Sequence, residues 1–301
     1  MCSANGPAAA PPRRCRHELA VAADYAYGRT PVTGFKTIRY DRSGHIGNLT
    51  LSRPEKRNAQ NPLMWRELGS LGSELLRDDT LRCLVVMGEG KSFSAGIDLV
   101  EGLAGALADA VERPVEELTV DAALEEAAGT FTWIPSLGCP SIAAVQGHAY
   151  GAGLQLALAC DFRIFAKSAR VGLVETRYGI MPDMGATVRL PRIVGESRAR
   201  ELILLGDIVD AAEALRIGLA NRTVDDDELP MAAAKLADQL CAQPPLAIRG
   251  ARHAIDAAWS RDPDESLRVA VEAQLRCLQS NDFIEGRQAL VEGRAPQWRG
   301  C

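Results

Sequence analysis

Histidine is scarce in this chain. There are four, at His17, His45, His148 and His253, far apart in sequence. None has the spacing to cysteine, carboxylate or another histidine that holds a metal, so no metal site is expected. Paired cysteines are lacking too. The eight cysteines run from Cys2 to Cys301 without a CxxC. In a chain of this size that pattern implies reduced thiols and a cytoplasmic protein, not a disulfide framework. No apolar run approaches the roughly 20 residues that cross a bilayer, so no membrane partner is expected. A basic excess is missing as well: the formal net charge is −5. A nucleic-acid-binding face needs the opposite sign. A small anionic ligand stays open, because a few local Lys or Arg suffice.

What is there reads as an α/β protein. Residues 1–33 are rich in Ala, Pro and Arg without sustained periodicity and read as a mobile leader. Arg13, Arg14 and Arg16 precede a short LAVAA run that Asp24 ends, too short for a signal peptide. Thr37–Tyr40 and Ile46–Leu51 predict two strands of a hairpin around the turn Asp41–His45, with Gly44 as the positive-φ residue. From Pro62 a helical period places Met64, Leu68, Leu71 and Leu75 on one face. Leu81–Met87, Pro140–Val145 and Phe162–Ala166 predict buried strands. The Ala- and Glu-rich stretch Glu101–Ser136 is mostly helical in pattern. From Ser197 the patterns are helical: Arg198–Leu205, Asp210–Ile217, Met231–Ala242, Pro245–Ser260 and Glu265–Gln279. A subdomain boundary is expected near residue 225, between a mixed core (34–224) and a helical region (225–301).

The most informative stretch is Val145–Ala166, VQGHAYGAGLQLALACDFRIFA. It predicts a buried strand, a sharp turn at Gly151-Ala152-Gly153 and a buried helix. Small residues there admit a ligand to the main chain, and the helix start offers free N–H groups. Such donors suit a developing negative oxygen better than a resting carbonyl. Two residues past Gly153 stands Gln155, which cannot take up or release a proton.

Several segments resemble the crotonase (enoyl-CoA hydratase/isomerase) family. They are RPEKRNAQ at 53–60, GKSFSAGIDL at 90–99, PSIAAVQGHAYGAGLQLALACDFRIFA at 140–166 and VGLVETRYGIMPDMGATVRLPRIVG at 171–195. DFIEGRQALVEGRAPQWRG at 282–300 is similar to the family's C-terminal segment. The resemblance implies a spiral of strand–strand–helix turns with a helical C-terminal region used in assembly, as a homotrimer or a dimer of trimers. It implies an acyl-CoA thioester as substrate, with coenzyme A entering as part of the substrate and no separate cofactor.

By the same resemblance, the oxyanion hole falls on the backbone N–H groups of Ile97, after the Ala95-Gly96 turn, and of Ala152, after Gly151. Close packing of small residues is the structural alternative for each turn taken alone. Lys56, Arg57 and Ala59 match the part that passes the coenzyme A adenine and pantetheine; a solvated basic loop is the alternative. Ala95, Gly96, Asp98, Leu99, Gly151 and Gln155 complete the substrate-binding set. Leu99, Leu103 and Trp133 either face the acyl chain or pack in the core. The two hydratase glutamates of the family fall on Gln155 and Glu175. Gln155 can hold a water but offers no base. Glu175 and Asp183 match acids of dienoyl-CoA isomerases of the family, although these also carry an acid where this chain has Gln155. Taken alone, Glu175 reads as a loop acid and Asp183 as a helix N-cap. The pattern favours double-bond isomerisation by Glu175 with Asp183. The alternatives are a hydratase using Glu175 alone and a non-catalytic acyl-CoA-binding protein.

Overall fold

The computed structural model describes residues 34–101, 130–259 and 261–301. The leader reading for residues 1–33 lies outside the described residues. So do Leu103 and most of the helical pattern expected across 101–136.

A hairpin opens the main sheet. Strands β1 (Ile38–Ser43) and β2 (Ile46–Leu51) pair antiparallel, with Ser43 opposite Ile46. The loop is therefore only Gly44-His45, shorter than expected, because the ladder continues through Asp41, Arg42 and Ser43. Gly44 takes φ +57, as the first position of a type II′ hairpin requires. Strands β3 (Cys83–Gly88), β4 (Ser141–Val145), β6 (Phe162–Ala166) and β9 (Arg222–Val224) then add in parallel, giving the order β1-β2-β3-β4-β6-β9. A second sheet holds three-residue strands in the order β5 (His148–Tyr150), β7 (Arg170–Gly172), β8 (Ile208–Asp210).

Helix α1 (Pro62–Leu75) buries Met64, Leu68, Leu71 and Leu75, the face the period predicted. Its start is fixed locally: Pro62 sets φ at the first helical residue, and the Asn61 side chain accepts from the Met64 N–H. Trp133 is buried against this helix, where a Cβ on Gly72 would lie 2.5 Å from its ring. Helix α2 (Ala152–Ala159) is buried along its whole length.

Helices α3 (Ala186–Val194), α4 (Glu196–Leu205) and α5 (Ala211–Arg216) follow. After β9, the chain is helical through α6 (Leu229–Cys241), α7 (Pro245–Ala257), α8 (Pro263–Leu278) and α9 (Asn281–Glu292). Helix α6 is part of the core. Its Leu229, Ala233, Leu236 and Ala237 cover Cys83, Val85, Ile142, Ala144, Ile164 and Ala166 of the sheet. Helix α7 is pinned by Arg252, which donates to Asp161 at 2.7 Å and to the Leu137 carbonyl at 2.5 Å. Beyond it, Trp259, Leu267, Val271 and Leu275 are exposed apolar residues. Among the described residues, no helix is long and apolar enough to cross a membrane.

Candidate active site

Three stretches of chain meet at the start of α2, and hydrogen bonds of the backbone join them. Ser94 lies beside Ala149 as a parallel bridge, with Ser94 N–H donating to His148 and Tyr150 N–H donating to Ser94. Gln60 forms a second bridge to Ile97: its N–H donates to Gly96 at 2.7 Å and its carbonyl accepts from Asp98 at 2.8 Å. In that pattern Gln60 uses the residues flanking Ile97, so the Ile97 N–H faces the other way. Ala95 N–H donates to the Arg57 carbonyl at 2.9 Å, which ties the 53–60 loop to the same turn.

The glycines explain how closely these turns approach. Gly96 sits at φ +94, and a Cβ there would lie 2.6 Å from the Tyr150 carbonyl oxygen and 3.7 Å from the Ala152 nitrogen. Gly151 takes φ +49 and ψ −122 as the residue preceding α2, with no side-chain cap on the helix. A Cβ on Gly153 would lie 2.4 Å from the Ser94 carbonyl oxygen. Among the described residues neither the Ile97 N–H nor the Ala152 N–H meets a protein acceptor. Ala152 is 1% exposed. A buried amide without a partner, as at Ala152, is rare and costly; the Ile97 amide beside it is half-buried, and both are free to receive an acceptor oxygen. The N-terminal end of the helix adds its partial positive charge.

Glu175 stands directly over this turn: its Oε1 lies 3.4 Å from where a Cβ on Gly151 would be. It opens a short 3₁₀ turn, Glu175–Tyr178, with two residues between it and the end of β7 at Gly172. Its Oε1 accepts from Gln155 Nε2 at 2.8 Å. Its Oε2 is buried with no hydrogen-bond partner. Burial pushes the carboxyl above its ordinary range, the negative charge of Asp183 pushes it further, and its own backbone N–H and Gln155 pull it partly back. Such a group holds and releases a proton closer to neutral pH than a surface glutamate does.

Gln155 is itself 1% exposed. Its Oε1 accepts from Met184 N–H at 2.9 Å and from Ala186 N–H at 3.3 Å. Its acceptor oxygen and one amide N–H are thus engaged by protein. Asp183 is exposed and lies two residues before Gly185, the residue that caps α3. It does not supply the helix cap.

The remaining predicted residues divide by burial. Lys56 and Arg57 are exposed on a turn in which Arg57 and Asn58 both take positive φ, and Ala59 is buried beside them. Ala95 is half-buried, Gly96 buried and Leu99 exposed. Asp98 is buried and fully engaged: Arg53 pairs with it at 3.0 Å, and the Val100 and Glu101 amides donate to its other oxygen. Burial works against its charge, yet those amides and Arg53 hold its carboxyl below the usual range. Arg53, Asn58 and Gln60 were missed by sequence reasoning. All three are buried polar residues. Asn58 accepts from Arg53 N–H and donates to the Glu89 and Ser92 carbonyls, holding the strained turn. The available signal was three polar residues inside one short motif, RPEKRNAQ. Among the described residues, no group of three or more His, Cys, Asp or Glu is placed to hold a metal.

Comparison with known proteins bears on this geometry. The family model described as enoyl-CoA hydratase/isomerase matches residues 41–301. A carnitinyl-CoA dehydratase of Citrobacter koseri is 37% identical over 273 residues, covering 88% of this chain and 99% of that protein. The crystal structure of an enoyl-CoA hydratase from Bacillus anthracis superposes with a TM-score of 0.79 at 32% identity, covering 88% of this chain and 100% of that one. A Thermobifida fusca structure, described provisionally as an enoyl-CoA hydratase and solved in complex with CoA, gives a TM-score of 0.70 at 39% identity. It covers 80% of this chain and 93% of its own.

Proposed function

Because this chain belongs to the enoyl-CoA hydratase/isomerase (crotonase) family, we propose that it shifts a double bond in an unsaturated acyl-CoA thioester. The observation that carries this reading is that Glu175 is a buried carboxylate with one oxygen left without a partner. Where a two-acid hydratase needs a second carboxylate, Gln155 stands with its oxygen on two backbone amides and its nitrogen on Glu175.

In this reading the thioester oxygen sits on the Ile97 and Ala152 N–H groups, which strengthen their hydrogen bonds as negative charge develops. Ionised Glu175 removes a proton from the acyl carbon through Oε2, its unpartnered oxygen. The enolate is held by the two amides, and the protonated carboxyl returns a proton at the other end of the allylic system. Asp183 supplies negative charge at the rim and is the candidate second proton carrier. Lys56, Arg57 and Ala59 border the coenzyme A portion. The thiols are unpaired among the described residues, in keeping with a cytoplasmic enzyme. The exposed Trp259, Leu267, Val271 and Leu275 support assembly through the C-terminal helices as a homotrimer or a dimer of trimers.

Hydration or dehydration by Glu175 alone is the second reading, favoured by the names of the dehydratase and hydratase relatives. Purified protein given 3-enoyl, 3,5-dienoyl and 2-enoyl CoA thioesters separates the two by product mass and absorbance. Isomerised products that disappear in E175A support the proposal. Rapid hydration of the 2-enoyl thioester without isomerisation overturns it.

A further inference from the structure

Arg189 is half-buried in the first turns of α3, where the charge of Asp256 favours it but forms no direct ion pair with it. A cation near a helix N-terminus opposes the helix dipole. No ion pair is recorded for it among the described residues, and its guanidinium is held against the protein by one bond, from Nη1 to the Met184 carbonyl at 3.1 Å. The approach requires Gly185: that residue takes φ +97, and a Cβ on it would lie 2.2 Å from Arg189 Nη1. The neighbouring glycine thus admits the guanidinium across the loop.

Met184 is gripped on both sides. Its carbonyl accepts from Arg189, and its N–H donates to Gln155 Oε1, which also accepts from Ala186. Those two amides fix which way the Gln155 side chain faces. With the oxygen on the loop, the nitrogen must face Glu175, where it takes Oε1 at 2.8 Å. A reversed amide would set its NH₂ against two N–H donors and its oxygen against a carboxylate. Glu175 is then left with Oε2 alone to meet substrate.

We infer that Arg189 is a positioning residue for Glu175, acting through Met184 and Gln155 without touching substrate. It fixes the loop that orients the glutamine, and the glutamine selects the carboxylate oxygen that carries the proton. The kinetic part of this inference rests on the isomerase reading; the structural part does not.

The test is a double-mutant cycle with a substrate-free arm. R189M is expected to lower kcat roughly tenfold or more with KM little changed, as misplacing a catalytic group does. R189K, which can still donate to Met184, is expected to retain most of the activity. In a Q155A background R189M is expected to cost almost nothing further, because the link is already cut. In the free protein, selective glutamine labelling is expected to show the Gln155 side-chain amide signal moving toward that of free glutamine in R189M and not in R189K. Additive effects on kcat, or an unmoved Gln155 signal in R189M, overturn the relay. If the wild-type protein isomerises none of the thioesters, the isomerase reading falls, and the glutamine signal still decides whether Arg189 orients Gln155.

Discussion

Replacing Gln155 by glutamate restores the second acid of a hydratase in composition, but the geometry says it will not restore the chemistry. Gln155 Nε2 and Glu175 Oε1 are 2.8 Å apart, so Q155E sets two carboxyl groups in direct contact inside the protein. At the effective dielectric of about 20 that suits such sites, two like charges 4 Å apart repel by about 4 kcal/mol. One proton is therefore shared by the pair through neutral pH. In that state the new side chain copies glutamine: its carbonyl oxygen accepts from Met184 and Ala186, and its hydroxyl donates to Glu175. The pair's folded pKa lies above its unfolded value. The folded state thus binds the extra proton where the unfolded chain does not. Stability is full at acid pH and falls as pH rises through the folded pKa, by about 1.4 kcal/mol per pH unit, to a total of about 4 kcal/mol. Urea unfolding of Q155E and wild type between pH 4 and 9 (roughly the span of the effect) reads this directly. Isomerase activity in Q155E is expected to carry a new alkaline decline that the wild type lacks. Parallel stability curves, with hydratase activity rising strongly at high pH, refute the reasoning: they place a water between the two side chains.

E175Q is expected to abolish turnover while raising stability at pH 7 and above, because burial raises the Glu175 pKa and ionising it in place weakens the folded state as pH rises; thermal melts against pH check the sign. For the wild type, kcat/KM is expected to rise with pH through a value above the ordinary carboxylate range, since proton abstraction needs the ionised form. G151A forces a side chain into φ +49, ψ −122 and sets a methyl 3.4 Å from Glu175 Oε1. It is expected to cost about 1–3 kcal/mol in stability and at least roughly a hundredfold in kcat, read by urea melts and initial rates. R53M removes the partner of buried Asp98 and is expected to destabilise by about 3–5 kcal/mol, measured as the shift in urea midpoint.

What could be read from the sequence followed the reach of the interactions involved. Periodicity found α1, because Met64, Leu68, Leu71 and Leu75 repeat at helical spacing and all go inside. Continuous apolar runs found β3, β4 and β6. Strands β8 and β9 escaped, since three residues are too few for alternation to register and their pairing is long-range. Helix α6 was visible as a helix but not as a core layer: its address against β3, β4 and β6 is a tertiary fact. The glycine turns at 96 and 151 were legible from their small residues, and their pairing as one site through the family resemblance. Their depth of contact was not, because it depends on where Tyr150 and Glu175 fall. Gln155 was legible as a residue that cannot act as a base, while the loop amides that orient it lie 29 and 31 residues away.

The same long-range bonds explain why a buried acid can persist with one oxygen unpartnered. A buried polar atom left without a partner costs about 1–3 kcal/mol, and this site carries Glu175 Oε2 and the buried Ala152 amide, with the half-buried Ile97 amide also unpartnered. Local structure cannot hold three such groups together, since each relaxes if its own backbone moves. Here each is fixed from elsewhere: Ile97 by the Gln60 bridge, Ala152 by Gly151 N–H donating to Gly172 and by the Ser94–Ala149 bridge, and Glu175 by Gln155. Gln155 also donates its backbone N–H to the Gly151 carbonyl at 2.9 Å. One residue thus joins the helix start that would receive the thioester oxygen to the carboxylate that would move the proton. The distance between those two functions is set by a single side chain, and a glutamine sets it without adding a second titrating group to the site.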